Sequence, residues 1–136
     1  MSRARDGAGV LVIAESTGRV LLGLRAPELN HGETWSVFGG QIERGEEPDE
    51  AASRELFEEA GLDYHERDFR LIHERKRKTG VYYTFAVMVR KEQRVRLNPE
   101  SIDSGWFDLD DLPEPLHPGA EALFDEIDIE ALIDEW

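Results

Sequence analysis

Two short apolar, β-branched runs open the chain, residues 10–14 (VLVIA) and 19–24 (RVLLGL). Glu15-Ser16-Thr17-Gly18 between them carries turn chemistry, so the pair predicts a hairpin. Residues 32–45 are loop-like around a short predicted strand, 35–38. A helix is predicted from Pro48 up to Gly61. The residue before a proline avoids helical dihedrals, so Glu47 suits the cap and Pro48 the first helical position. Asp49 and Glu50 complement the helix dipole, and Gly61 suits a left-handed closing position. Two further strands, 69–76 and 81–90, flank Lys78-Thr79-Gly80; in the second, Val81, Tyr83, Phe85, Val87 and Val89 share one face. A last strand is predicted over 104–107, then proline breaks, then short acidic helices near 119–124 and 127–136. Interleaved strands and helices predict an α/β fold with a mixed sheet and helices on its faces.

At 136 residues, with 40% apolar positions, the chain is expected to form a single domain over 1–136 with one real core. Its 16 basic and 30 acidic residues give a net charge of −14. That balance argues against a nucleic-acid polymer and an anionic membrane surface as partners, and suits cations or cation-bridged small substrates. Zero cysteines exclude a disulfide framework, a thiolate nucleophile and a zinc-thiolate site. No apolar run approaches the ~20 residues of a membrane span, and Met1-Ser2-Arg3-Ala4-Arg5-Asp6 lacks the apolar stretch of a leader. A cytoplasmic location is the expectation.

The informative segment is residues 40–62, GQIERGEEPDEAASRELFEEAGL. Glu55, Glu58 and Glu59 stand at i, i+3 and i+4, so their carboxylates share one helical face. Ala52, Leu56 and Ala60 form another stripe that can sit on a sheet. Taken alone, an acidic triplet is commonly a solvated face. Held together by an anchored helix, it repels itself, and a hard divalent cation relieves the repulsion. Gly39-Gly40 upstream allows a backbone carbonyl to approach the same ion, and Arg54 can pair with Glu46 to tie loop to helix.

The joint spacing changes the weighting. Gly40, Glu46, Arg54-Glu55-Leu56, Glu58-Glu59 and Gly61-Leu62 fill every specified position of a Nudix box, so the chain resembles the Nudix hydrolase family. Leu21-Leu22 with Arg25, Trp35 with Gly39, and Trp106-Phe107 with Leu112-Pro113 are also similar to that family. Phe38 stands where the family often has proline; this is expected to alter loop packing or pocket shape rather than metal binding. The resemblance implies an α/β/α sandwich with a mixed, mostly antiparallel-edged sheet, and hydrolysis of a nucleoside diphosphate linked to another moiety. Water would attack a diphosphate phosphorus in line, with Mg²⁺ or Mn²⁺ as cofactor. It also implies Glu55, Glu58 and Glu59 as metal-binding glutamates, the Gly40 carbonyl as backbone ligand, and Glu46–Arg54 as a structural pair.

The resemblance also implies a further acidic residue from a loop outside the box, serving as ligand or base. Glu100, on the loop Asn98-Pro99-Glu100-Ser101, is the first candidate and Glu92 the second. Arg25, Trp35, Phe38, Tyr82 and Tyr83 are the candidate substrate contacts, although aromatics at strand spacing are commonly core. Arg75-Lys76-Arg77-Lys78 is expected to be a solvated hairpin tip, with contact to a terminal phosphate or sugar-phosphate as its alternative, and His31 a plain loop histidine, with lining of the pocket entrance as its alternative. The amphipathic run 125–136 is expected to cover the core, with a homodimer contact as its alternative use.

Three other functions compete with this one. A non-catalytic module sensing a nucleotide or sugar nucleotide would be favoured by a decayed box, and this box is intact. An isoprenoid diphosphate isomerase on the same fold would need a cysteine acid. An RNA-end hydrolase fits the chemistry but not the charge of −14. A small nucleotide-type substrate is therefore expected.

Overall fold

The structure is a computed structural model that describes residues 5–136; the leader reading at residues 1–4 lies outside them. Seven strands form one mixed sheet: β1 (Gly7–Ala14), β2 (Val20–Arg25), β3 (Trp35–Ser36), β4 (Phe38–Gln41), β5 (Arg70–Arg77), β6 (Gly80–Val89) and β7 (Ser101–Phe107). Three helices accompany it: α1 (Pro48–Ala60), α2 (Pro118–Glu126) and α3 (Ile129–Asp134). Among the described residues no helix is long and apolar enough to cross a membrane.

Strand β1 is buried along its whole length, which its uninterrupted apolar run requires of a central strand. One edge pairs in parallel with β6, from Gly7 opposite Tyr82 to Ala14 opposite Val89. The other edge forks. Its first half pairs antiparallel with β4, Gly9 opposite Gly39, and its second half meets β2 at Ile13 and Val20. The predicted strand over 35–38 is therefore two strands broken at Val37: Trp35–Ser36 pairs with β2, and the chain then crosses to β1. That crossing sets Gly39 and Gly40 at the crotch of the fork. On its other edge β2 pairs with β7.

Helix α1 begins and ends as its sequence dictates. Glu47 is the cap with Pro48 first in the helix, the Glu47 amide donates to Glu50 Oε1 at 2.9 Å, and Gly61 closes it at φ 72°. Ala52, Leu56 and Ala60 are fully buried against one sheet face with Val10, Val12, Phe85 and Val87. Truncating Leu56 to alanine would remove on the order of 2–5 kcal/mol of stability. Helices α2 and α3 cover the other face, where Ile127, Ile129, Leu132 and Ile133 pack with Leu11, Ile13 and Leu22. The run 125–136 is thus core cover. Because both faces are covered, β6 is buried on both rather than on alternate residues.

Strand β5 carries one irregularity that matters below. Leu71 lies opposite Phe85, but His73 lies opposite Thr84, so Ile72 is an extra residue. Such a bulge shifts the alternation by one. Beyond it, Arg75 stands opposite Tyr82. His73, now buried, meets Glu126 of α2 at 2.8 Å through Nε2.

Candidate active site

The fork and α1 together build an acidic recess. The amide of Gly39 donates to Glu59 Oε1 at 2.9 Å, fixing the last glutamate of the helix against the glycine strand. Glu59 is only 5% exposed. Burial, with the charges of Glu55 and Glu100 close by, pushes its carboxyl up to about 9. Glu55 is displaced in the same direction, again mainly by burial, with Arg54 opposing.

Gly40 is where backbone and carboxylate meet. A Cβ built there would lie 2.6 Å from Glu55 Oε2, so any side chain would fill the space between them. Arg54 organises the rest. Its Nε and Nη2 hold Glu46 at 2.6 and 3.0 Å, Nη1 reaches Glu55 at 3.0 Å and Glu58 at 3.2 Å, and Nη2 also donates to the Gln41 carbonyl. This hydrogen-bonded pairing lowers Glu46 below the usual carboxylate range. Glu46 in turn accepts from the Glu43 amide, closing the loop before α1.

Glu100 reaches the recess from the other side. Its side chain lines one small recess with Glu59, and its charge adds to the upward push on that carboxyl. The backbone places it there: the Asn98 amide donates to the Glu59 carbonyl at 3.3 Å, Asn98 Oδ1 accepts from the Glu100 amide, and the Ala26 amide donates to the Glu100 carbonyl. Glu92 is not brought in; it accepts from Thr17 and pairs with Arg19 at the β1–β2 turn, the opposite end of β1.

The donor set suits a hard divalent cation. All of its groups are oxygens, several with raised proton affinity that a cation would replace, and the Gly40 backbone has no side chain in the way. Among the described residues no three acidic or imidazole side chains converge as a preformed cage. Glu55 and Glu58 are instead turned onto Arg54.

The substrate contacts read from sequence separate in three directions. Arg25 lines a cavity of about 530 Å³ on the α2 side of the sheet, its guanidinium held by the Asn30 carbonyl at 2.6 and 3.0 Å. Phe38 is corrected: at 2% exposure its ring sits in the core against Gly23 and offers no face for stacking. Trp35 is corrected likewise, packing edge-on against Phe107 in the α2–α3 core, outside that cavity's lining. Tyr83 faces the α1 side, beside Glu43, Glu46 and Glu55. Tyr82, one residue earlier, is the aromatic in the cavity, its hydroxyl against Gly9 and Gly39. Burial pushes its phenol well above the usual value. His31 and part of the basic hairpin take the alternative places read for them. His31 lies edge-on to His117 at 4.9 Å, and both, with Arg75 and Arg77, line the cavity. Strand alternation leaves Lys76 and Lys78 exposed.

A forked mixed sheet with an acidic helix against its Gly-Gly strand places the molecule among Nudix-fold proteins. It superimposes on the C. elegans Ap4A hydrolase with a TM-score of 0.76 at 17% identity, covering 96% of this chain and 99% of that one. A Nudix hydrolase from M. smegmatis, RenU, gives 0.74 at 26% identity, covering 97% and 87%. The NUDIX domain profile matches residues 3–127, and the chain belongs to that family. Among curated relatives, a Mycobacterium tuberculosis protein described as "Putative 8-oxo-dGTP diphosphatase 3" is 31% identical over 130 residues, 88% of this chain and 60% of that protein. The oxidized purine nucleoside triphosphate hydrolase of Danio rerio is 46% identical over 52 residues, 38% of this chain and 33% of its own length. The RNA pyrophosphohydrolase of Bartonella quintana is 36% identical over 80 residues, 55% and 43%. The chain thus spans a third to three fifths of the length of these relatives.

Proposed function

We propose that this protein hydrolyses the diphosphate linkage of a small nucleotide-type substrate, using Mg²⁺ or Mn²⁺ held by Glu55, Glu58, Glu59, Glu100 and the Gly40 carbonyl. The observation that carries the reading is buried Glu59 bonded to the Gly39 amide with Glu100 beside it, within one recess that a polar cavity adjoins. Family membership and relatives bearing diphosphatase and pyrophosphohydrolase names support it.

When bound, the cation supplies charge neutralisation for the bridging phosphates and the phosphorus under attack. The chain's own groups do the rest. With the cation bound, Glu59 and Glu100 would stand as neighbouring carboxylates able to take a proton from water. Arg54 fixes the direction of Glu55 and Glu58, so their orientation does not depend on the substrate. No covalent intermediate is required.

The test is a panel of nucleoside triphosphates, oxidised nucleotides, sugar nucleotides, dinucleoside polyphosphates and dinucleotide cofactors, incubated with Mg²⁺. Products are separated by chromatography, with Glu59→Gln as the blank. Cleavage missing from the blank supports the reading; equal product in both sinks it.

A further inference from the structure

The cavity beside the glycine strand has an unexpected sign. In a chain of net charge −14, its lining holds Arg5, Arg25, Arg75 and Arg77 against a single acid, Asp6. Asp6 is already engaged, its Oδ1 accepting from the Val81 amide at 2.9 Å. Arg25 is held by the Asn30 carbonyl, but the two hairpin cations keep donors in reserve. Arg75 has no hydrogen-bond or ion-pair partner among the described residues. It lies across the start of α2, its Nη2 3.0 Å from where a Cβ on Gly119 would stand. Arg77 donates through Nη2 to the Arg5 carbonyl at 2.6 Å, but its Nε is buried without a partner.

A neutral purine or pyrimidine would not answer this lining. Guanidinium groups cannot shed their charge, so cations drawn into one cavity are stabilised only by an anion, and paired N–H donors match phosphate oxygens. The field is felt locally: burial and then Arg25, His31, Arg75 and Arg77 pull His117 down to about 4, leaving its ring neutral, with Nδ1 accepting from the Gly119 amide. Gly39 and Gly40 line this cavity as well as the acidic recess, so one ligand can span both.

We propose that this cavity binds a second phosphate of the substrate, a phosphate monoester on its organic part and separate from the diphosphate that is cut. The preferred substrate class is then a nucleotide carrying an extra sugar phosphate. Arg75 and Arg77 are the residues that select it. This rests on the hydrolase reading above only for the identity of the bond broken.

Two measurements separate the claims. In EDTA, the whole chain is titrated calorimetrically with adenosine 3′,5′-bisphosphate and with adenosine. The bisphosphate is expected to bind at least about tenfold tighter, and Arg75→Gln to remove most of that gain. Lys76→Gln, which changes net charge equally on the exposed side, should not. Adenosine binding as tightly as the bisphosphate, or bisphosphate binding indifferent to Arg75→Gln in a variant that melts like the parent, overturns the anion site. With Mg²⁺, kcat/KM is compared for adenosine 3′-phosphate 5′-diphosphate and ADP. A preference of at least about tenfold that collapses in Arg75→Gln supports the proposal, and equal values overturn it. Arg75-dependent binding without turnover of either supports the anion site while counting against the hydrolase reading.

Discussion

Glu59 and Gly39, 20 residues apart, are joined by a 2.9 Å hydrogen bond from the glycine amide to the carboxylate. Through it the last glutamate of α1 is aligned on the sheet before any ligand arrives. Glu59→Gln keeps an acceptor oxygen for that amide but loses the negative charge. Turnover should fall by about 10²–10⁴-fold with melting temperature unchanged or raised. Retained activity in a folded variant would remove Glu59 from the chemistry.

Glu59 also predicts a pH dependence. Its carboxyl is raised from 4.5 to about 9 in the fold, so the folded state holds the proton more tightly than the unfolded chain. The stability this group contributes is complete below pH 4.5 and is lost as pH rises through about 9. Metal-free protein should therefore melt lower at pH 8.5 than at pH 6, with the slope reduced in Glu59→Gln. Mg²⁺ binding should release protons at pH 7 and tighten as pH rises, read by calorimetry in buffers of different ionisation enthalpy. Proton-neutral binding would contradict this account.

Gly39 and Gly40 should respond differently to a methyl group. At Gly40 the added Cβ meets the Glu55 carboxylate, a side-chain end that can turn away. At Gly39 it meets the Ala8 carbonyl and the Gly9 Cα at 2.5 Å, both backbone of the central strand. Gly40→Ala should fold normally and need more Mg²⁺ for half-maximal rate, while Gly39→Ala should lose several degrees of melting temperature, on the order of 1–3 kcal/mol. Equal melting temperatures would show that the strand pair yields.

Arg54, its side chain 23% exposed, holds three glutamates and a carbonyl. Arg54→Gln leaves those carboxylates facing one another and should cost about 2–4 kcal/mol in urea unfolding. Arg54→Lys should recover little, since an ammonium cannot hold Glu46 by two parallel bonds. Full recovery with lysine would reduce the role to simple charge.

Glu100→Gln should lower kcat by about 10–10³-fold, because its carboxyl stands beside Glu59 in the recess, whereas Glu92→Gln should leave kcat unchanged. The reverse ranking would reassign the extra acid.

The helix and its glutamates were readable because each rested on neighbours a few residues away: the Glu47-Pro48 start, the Ala52-Leu56-Ala60 stripe and the Gly61 stop. Which aromatic faces the cavity was not, since that depends on pairing across the sheet. Phe38 goes to the core because Gly23 opens space opposite it, and Tyr82 rather than Tyr83 faces the cavity because β6 is covered on both sides. The break at Val37 likewise comes from the fork, where two partner strands claim successive parts of one segment.

The basic cavity was hidden for a related reason, and its origin is a matter of counting. Ile72 adds one residue to β5 against β6, and everything after it changes sides. Four consecutive cations are thereby sorted by kind, with Arg75 and Arg77 inside and Lys76 and Lys78 in solvent. Were Ile72 instead paired with Thr84 in regular register, Glu74 and Lys76 would fall opposite Tyr82 and Gly80 and face the cavity, an acid and a base that would neutralise each other. The charge of the cavity is thus written in how β5 is laid against β6 as much as in the letters of the hairpin itself.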